Sequence, residues 1–261
     1  MGVRAEDLLA LEGIGPSIDA SVFLSGSLVE GMGNQSSDID VFVVGEAKPT
    51  GENIHVAGDA VFSVHMHGKR RVDFEYWRDG AALALAEKLD ALTTTDEGSD
   101  NVLMEKRLTD EEIAFMHRVR TGVPLLHDER FDRLRSRFEF ARLSAYLTEV
   151  KLREIDDAVE DVCGMMDDGD VDVGLMRARD LLNVVCDAYG HHLGSTNIRR
   201  KWRTKVLEAY RSRDHADEVL GRFWELQFPD GSTVRADREA YRAYAERCVR
   251  LANKVTDWIL G

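Results

Sequence analysis

The chain is poor in cysteine, in positive charge and in long apolar runs, and each shortage closes off a class of protein. Its three cysteines, Cys163, Cys186 and Cys248, are far apart and fall outside any Cys-x-x-Cys or Cys/His ligand spacing. Neither a disulfide framework nor a zinc site is expected, and the thiols read as reduced, mostly core groups. No apolar run approaches the roughly 20 residues that cross a bilayer, and the opening Met1-Gly2-Val3-Arg4-Ala5-Glu6-Asp7 lacks a signal-peptide hydrophobic region. No membrane association and a cytoplasmic location are the expectation. Lys and Arg total 34 against 48 Asp and Glu, a formal net charge of −14. Such a surface repels phosphate on average, so nucleic acid is an unfavoured partner and a small cationic molecule a favoured one.

What remains is an ordinary globular composition, 44% hydrophobic and 31% charged, with no low-complexity tract and no repeat across 261 residues. That length holds one large domain or two modest ones, and the pattern favours two. A short helix over 5–11 leads through Gly13-Ile14-Gly15-Pro16 to an apolar strand at 21–24, and strands follow at 39–44, 53–57, 60–67 and 71–77. A hairpin turn at Ala57-Gly58-Asp59 joins the middle pair. Beyond Trp77 the period becomes helical, with Ala82, Leu85, Ala86 and Leu89 on one face, and 93–101 is polar enough for a connection. Thr109-Asp110-Glu111-Glu112 has the form of a capping box and predicts a helix start. One long helix is expected over about 129–166, then helices over about 173–191, 198–227 with a break near Asp214, and 237–259, whose apolar stripes call for a bundle. The fold class is therefore α+β, with a catalytic domain of small mixed sheet over 1–105 and a helical bundle domain over 106–261.

Three carboxylates carry the chemistry. Asp38-Ile39-Asp40 on a strand points both acids to one face while Ile39, Val41 and Val43 pack on the other. Asp38 alone is explicable as a turn residue, but Asp40 sits inside a strand, where an acid is depleted unless paired or bound to a cation. A third acid from Arg71-Val72-Asp73-Phe74-Glu75 would complete an oxygen cradle for two hard, magnesium-like ions roughly 3.5–4 Å apart, the arrangement that clamps both oxygens of a displacement at phosphorus. Asp73 and Glu75 share a face by the period of two; the shorter Asp73 is preferred as the ligand, with Glu75 as its support or its replacement. Upstream of Asp38, across a polar loop, Gly26-Ser27 follows a strand directly, where a residue without a side chain allows close approach and exposed amides take phosphate oxygens.

Leu24-Ser25-Gly26-Ser27, Asp38-Ile39-Asp40 and Asp73 together resemble the nucleotidyltransferase superfamily that includes DNA polymerase β and kanamycin nucleotidyltransferase: a hydrophobic strand, Gly-Ser, a variable spacer, Asp-x-Asp and a later carboxylate, in that order. The resemblance covers roughly the first hundred residues as motif. It implies that Asp38 and Asp40 bind two Mg²⁺ ions and that Asp73 binds the catalytic one and assists deprotonation of the acceptor. It further implies that Gly26 and Ser27 hold the β and γ phosphates of a nucleoside triphosphate, ATP among the candidates.

In the helical half, Ser195-Thr196-Asn197-Ile198-Arg199-Arg200-Lys201-Trp202-Arg203 joins capping residues to a run of cations. Relatives of this architecture often place a helical-domain lysine on the nucleotide phosphates, and Lys201 is the candidate. Lys69-Arg70-Arg71 reads as a solvated strand edge, His65, His67, His191 and His192 as no metal site, and Leu8 to Pro16 as a helix cap and turn in place of a helix-hairpin-helix. The expected activity is Mg²⁺-dependent transfer of a nucleoside monophosphate from an NTP to a hydroxyl of a small-molecule acceptor, releasing pyrophosphate. Transfer to tRNA or to a protein is the second reading and nucleotide sensing without catalysis the third; a homo-oligomer is compatible with all of them.

Overall fold

The computed structural model describes residues 3–50, 53–92, 108–228 and 238–261. The connection expected over 93–101 and the domain boundary expected at 105/106 lie outside the described residues. The chain divides into two compact units, Met1–Phe140 and Ala141–Gly261. The first is a mixed sheet with helices and the second is all helix, so the fold class is α+β.

The first unit opens with α1 (Ala5–Leu11) and the strands β1 (Ala20–Ser25), β2 (Ile39–Gly45), β3 (Ile54–Ala57), β4 (Ala60–His67) and β5 (Arg70–Trp77). It continues with α2 (Asp79–Asp90), α3 (Asp110–Thr121), β6 (Val123–Leu126) and α4 (Asp128–Arg135). The sheet order is β3-β4-β5-β2-β1-β6. Every pairing is antiparallel except β2 with β5, which run parallel, and the β3–β4 hairpin supplies the connection between them. The period of two then sorts the side chains. Ile39, Val41, Val43, Val72, Phe74 and Tyr76 form one buried face with Leu8 of α1. On the other face Phe23 stacks on Phe42 and meets Phe131 of α4, while Trp77 stacks at 4.1 Å on Phe115 of α3.

Helix starts follow local chemistry: Thr109 Oγ1 accepts from the Glu112 amide at 3.2 Å and Glu112 accepts from the Thr109 amide at 2.7 Å, the expected capping box. Two expectations need correction. The helix expected over 129–166 is two, α4 and α5 (Phe140–Asp168), separated by a turn at 136–139 in which backbone bonds run three and four residues back. A strand, β6, also lies where only helix is expected, on the outer edge of β1. Its Pro124 has no amide to donate, which an edge position tolerates.

The second unit contains the rest of α5, α6 (Val171–His192), a 3₁₀ turn (Arg200–Trp202), α7 (Arg203–Ala209), α8 (Ala216–Gln227) and α9 (Arg238–Leu260). Its core joins Ile155, Val162, Leu181, Val185, Leu220 and Ala252 among others. Arg203 clips α7 to α6 through a two-pronged pair with Asp187, both bonds 2.7 Å, and a third bond to Asn183 at 2.9 Å. Cys186 and Cys248 are buried free thiols and Cys163 is exposed. Among the described residues no helix is long and apolar enough to cross a membrane.

Below the sheet, at the end of α1, the side chain of Glu12 is fully buried. It accepts from the Thr50 amide at 2.7 Å, lies 2.9 Å from the Thr50 hydroxyl and 2.6 Å from His65 Nε2, and also accepts from Ser63. Burial pushes the carboxyl up, but these donors outweigh it and hold its pKa at about 2. The folded-state value lies below the unfolded one, so this stabilisation is complete above the ordinary glutamate range and lost as pH falls. Between about pH 4.5 and about 2 the wild-type chain should lose about 3 kcal/mol of stability from this residue alone. Glu12→Gln should unfold at lower denaturant at pH 7 and show a flatter acid limb, as read by urea melts across that range.

Candidate active site

Strand β1 ends at Ser25, and the chain turns at Gly26 with φ +94°. An ideal Cβ there would lie 2.0 Å from Asp40 Oδ2 and 3.1 Å from Arg118 Nη1, so only glycine fits between a carboxylate and a guanidinium. The turn closes on itself: Gly26 carbonyl accepts from Glu30, and Ser27 carbonyl accepts from Met32 and Gly33 at 2.8 and 2.7 Å. Among the described residues no acceptor takes the amides of Ser27 and Leu28. Those two donors are what an anion at this turn would meet.

Asp40, the second residue of β2, is the register partner of Ser25 on one side and of Asp73 on the other. Register partners project to the same face, so Asp40 and Asp73 stand side by side, with Asp38 just before the strand. All three are half-buried. Arg71, two residues before Asp73 on the same face, donates from Nε to Asp73 Oδ1 at 2.6 Å. That bond and the Asp73 charge, with the charges of Asp38 and Asp40 behind them, raise the Arg71 pKa. One guanidinium thus sits in the field of the whole carboxylate trio. Glu75 accepts from Trp77 Nε1 at 2.7 Å, so the alternative third acid is engaged on its own strand.

Helix α3 contributes residues that periodicity alone does not single out. His117 Nε2 lies 3.0 Å from Glu30 in the Gly26 turn, Arg118 approaches the same carboxylate at 4.0 Å, and Thr121 Oγ1 lies 3.0 Å from Ser25 Oγ. The clue available in the sequence is their spacing, since 117, 118 and 121 fall on one side of a helix. Lys201 belongs to the second unit, where its ammonium lies 4.8 Å over the Trp202 ring and Lys205 shares that ring at 5.2 Å.

The donor set is all carboxylate oxygen, which suits a hard divalent cation, and the missing Cβ at Gly26 lets the Asp40 carboxylate lie against the turn. As the side chains stand, no three His, Cys, Asp or Glu among the described residues are grouped to hold a metal ion. Asp73 is turned to Arg71, which occupies the position of a counter-ion.

Residues 7–113 match the family model described as nucleotidyltransferase domain. No curated protein matches the chain. Among solved structures, a nucleotidyltransferase-like protein from Exiguobacterium sibiricum 255-15 is similar at 10% identity and a TM-score of 0.47, over 92% of this chain and 72% of that one. That likeness is too distant to carry weight. The family match spans the Gly26 turn and all three carboxylates, so residues 7–113 of the first unit are similar to a nucleotidyltransferase domain.

Proposed function

We propose that the chain transfers a nucleoside monophosphate from an NTP to a hydroxyl acceptor, releasing pyrophosphate, with Asp38, Asp40 and Asp73 as the metal-binding carboxylates. The observation that carries this reading is the register pairing of Asp40 with Asp73 beside a glycine turn. Two acids held together in strand interiors repel each other and persist where a cation is part of the working state. When bound, two Mg²⁺ ions would neutralise the carboxylates and stabilise charge on the transferring phosphoryl group. The protein's own share is placement. The amides of Ser27 and Leu28 receive the terminal phosphates, Asp40 is held against the turn by the absence of a Cβ at Gly26, and Asp73 draws the proton of the acceptor hydroxyl. Arg71 must release Asp73 for this to happen, so the 2.6 Å ion pair competes with metal.

A small-molecule acceptor fits the net charge of −14 better than a polyanion does. Lys201 remains a candidate phosphate ligand, supported by the cations Arg199, Arg200 and Lys205 in its own segment; nothing in the first unit's geometry depends on it.

Pyrophosphate release and label transfer, measured with each NTP, Mg²⁺ and a panel of hydroxylated acceptors, test the activity; tight NTP binding with neither signal would favour a sensor. Steep loss of acceptor binding with salt would favour tRNA. Asp40→Asn and Asp73→Asn should each lower kcat by at least about a hundredfold while circular dichroism stays that of the wild type. Gly26→Ala should lose comparable activity because its methyl group meets the Asp40 carboxylate. Arg71→Gln should lower the Mg²⁺ concentration for half-maximal rate several-fold, since it removes the cation that competes for Asp73; an unchanged or raised requirement would show that Arg71 does not compete.

A further inference from the structure

The cation nearest the Gly26 turn is left with little to hold. The Arg118 side chain is only 16% exposed, and a guanidinium buried to that degree normally satisfies its five N–H donors. Among the described residues it makes no hydrogen bond. Its ion-pair partner is Glu30, at 4.0 Å, beyond hydrogen-bond reach; the Phe42 ring lies 5.9 Å from Cζ to centroid, and the Asp40 carboxylate stands on the other side of Gly26. Glu30 already has a closer partner in His117 at 3.0 Å. Nη1 nonetheless lies 3.1 Å from the point where a Gly26 side chain would begin, at the turn whose Ser27 and Leu28 amides also lack an acceptor among the described residues. A guanidinium with no hydrogen bond and two amides with no acceptor among the described residues therefore lie at one turn, beside the Asp40 carboxylate, and both kinds of donor suit a phosphate oxygen.

We propose that Arg118 is a nucleotide-contacting residue, its guanidinium taking an oxygen of the β,γ-phosphates at the Gly26–Ser27 turn. The inference rests on the nucleotidyltransferase reading and adds to it a cation from helix α3. Ion pairing with Glu30 keeps the guanidinium at the turn without consuming its donors. Phe42, below it on the sheet, offers a ring face that holds a guanidinium in place while leaving its edge available. Charge on the terminal phosphates grows as pyrophosphate departs, so a guanidinium here assists the step as well as binding.

The test is calorimetric titration of the full chain with Mg²⁺ and a non-hydrolysable nucleoside triphosphate, alongside the matching monophosphate. Arg118→Ala should weaken the triphosphate roughly 10- to 100-fold and change the monophosphate less than about threefold, so that the ratio of the two affinities collapses. Arg118→Lys should fall between it and wild type, and should carry the comparison, with Arg118→Gln, where Arg118→Ala does not fold. Glu30→Gln, which loosens the guanidinium but leaves it present, should weaken the triphosphate clearly less than Arg118→Ala does. The proposal is overturned if folded Arg118 variants bind triphosphate like wild type, if both ligands weaken equally, or if Glu30→Gln reproduces the loss, because Arg118 would then act only by bracing the turn. Wild-type chain that binds no triphosphate would instead sink the nucleotidyltransferase reading itself.

Discussion

Everything at the candidate site depends on the in-register parallel pairing of β2 with β5. Because side chains alternate along a strand, that register sends Val41 and Phe74 to one face and Asp40 and Asp73 to the other. A slip of one residue would bury the acids under α1 and expose the core. The register therefore cannot drift: Ile39, Val41, Val43, Val72, Phe74 and Tyr76 would all have to leave the interior together. At roughly 25 cal/mol per Å² of apolar surface, even two or three such side chains cost several kcal/mol, more than the repulsion of two half-buried carboxylates at the effective dielectric of a protein surface. Hydrophobic burial on one face thus holds like charges together on the other.

The face opposite Asp40 and Asp73 has a polar constraint of its own. Glu12 ties the end of α1 to Thr50, to Ser63 and His65 on β4, and so fixes the helix against the sheet through a single buried carboxylate. A buried acid with this many donors is strongly destabilising when one partner is lost, because the remaining charge stays desolvated. On the opposite face the aromatic stack of Phe23, Phe42, Phe131, Phe115 and Trp77 occupies the part of the sheet beyond the acids.

Much of this is legible in the sequence because it depends on local periods. The strand alternation around Asp40 and Asp73, the hairpin at Gly58 and the capping box at Thr109 each follow from residues within a few positions of one another. What is not legible depends on distant partners. Val123-Pro124-Leu125-Leu126 is too short for a period and becomes a strand only because the edge of β1 is available to it. The break after Arg135 lies in a stretch whose apolar spacing continues across it. Arg71 has the sequence setting of a solvated edge cation and is in fact the partner of Asp73. His117 and Arg118 are singled out by no local pattern, and only the packing of α3 brings them to the Gly26 turn. The motif itself calls for glycine at position 26, but the atom that enforces it, Asp40 Oδ2, is a tertiary fact.

The contrast between global and local charge reconciles an acidic protein with the anionic substrate proposed for it. A net charge of −14 acts over the whole surface, and each phosphate of a long nucleic acid would feel it. A single nucleotide occupies a space comparable to the screening length of about 8 Å at physiological salt, so it responds mainly to the groups within that radius. Around the Gly26 turn those groups include Arg118, while Arg71 stands in the field of all three acids. Divalent cations brought by the substrate would shift the local balance further toward positive. On the proposed function, the same carboxylates that repel a polyanion at a distance would become metal ligands for one triphosphate at close range, and the site would select for a small, metal-bearing anion. Selectivity of this kind needs no dedicated gate, because it follows from placing a few cations against three acids on an otherwise negative surface.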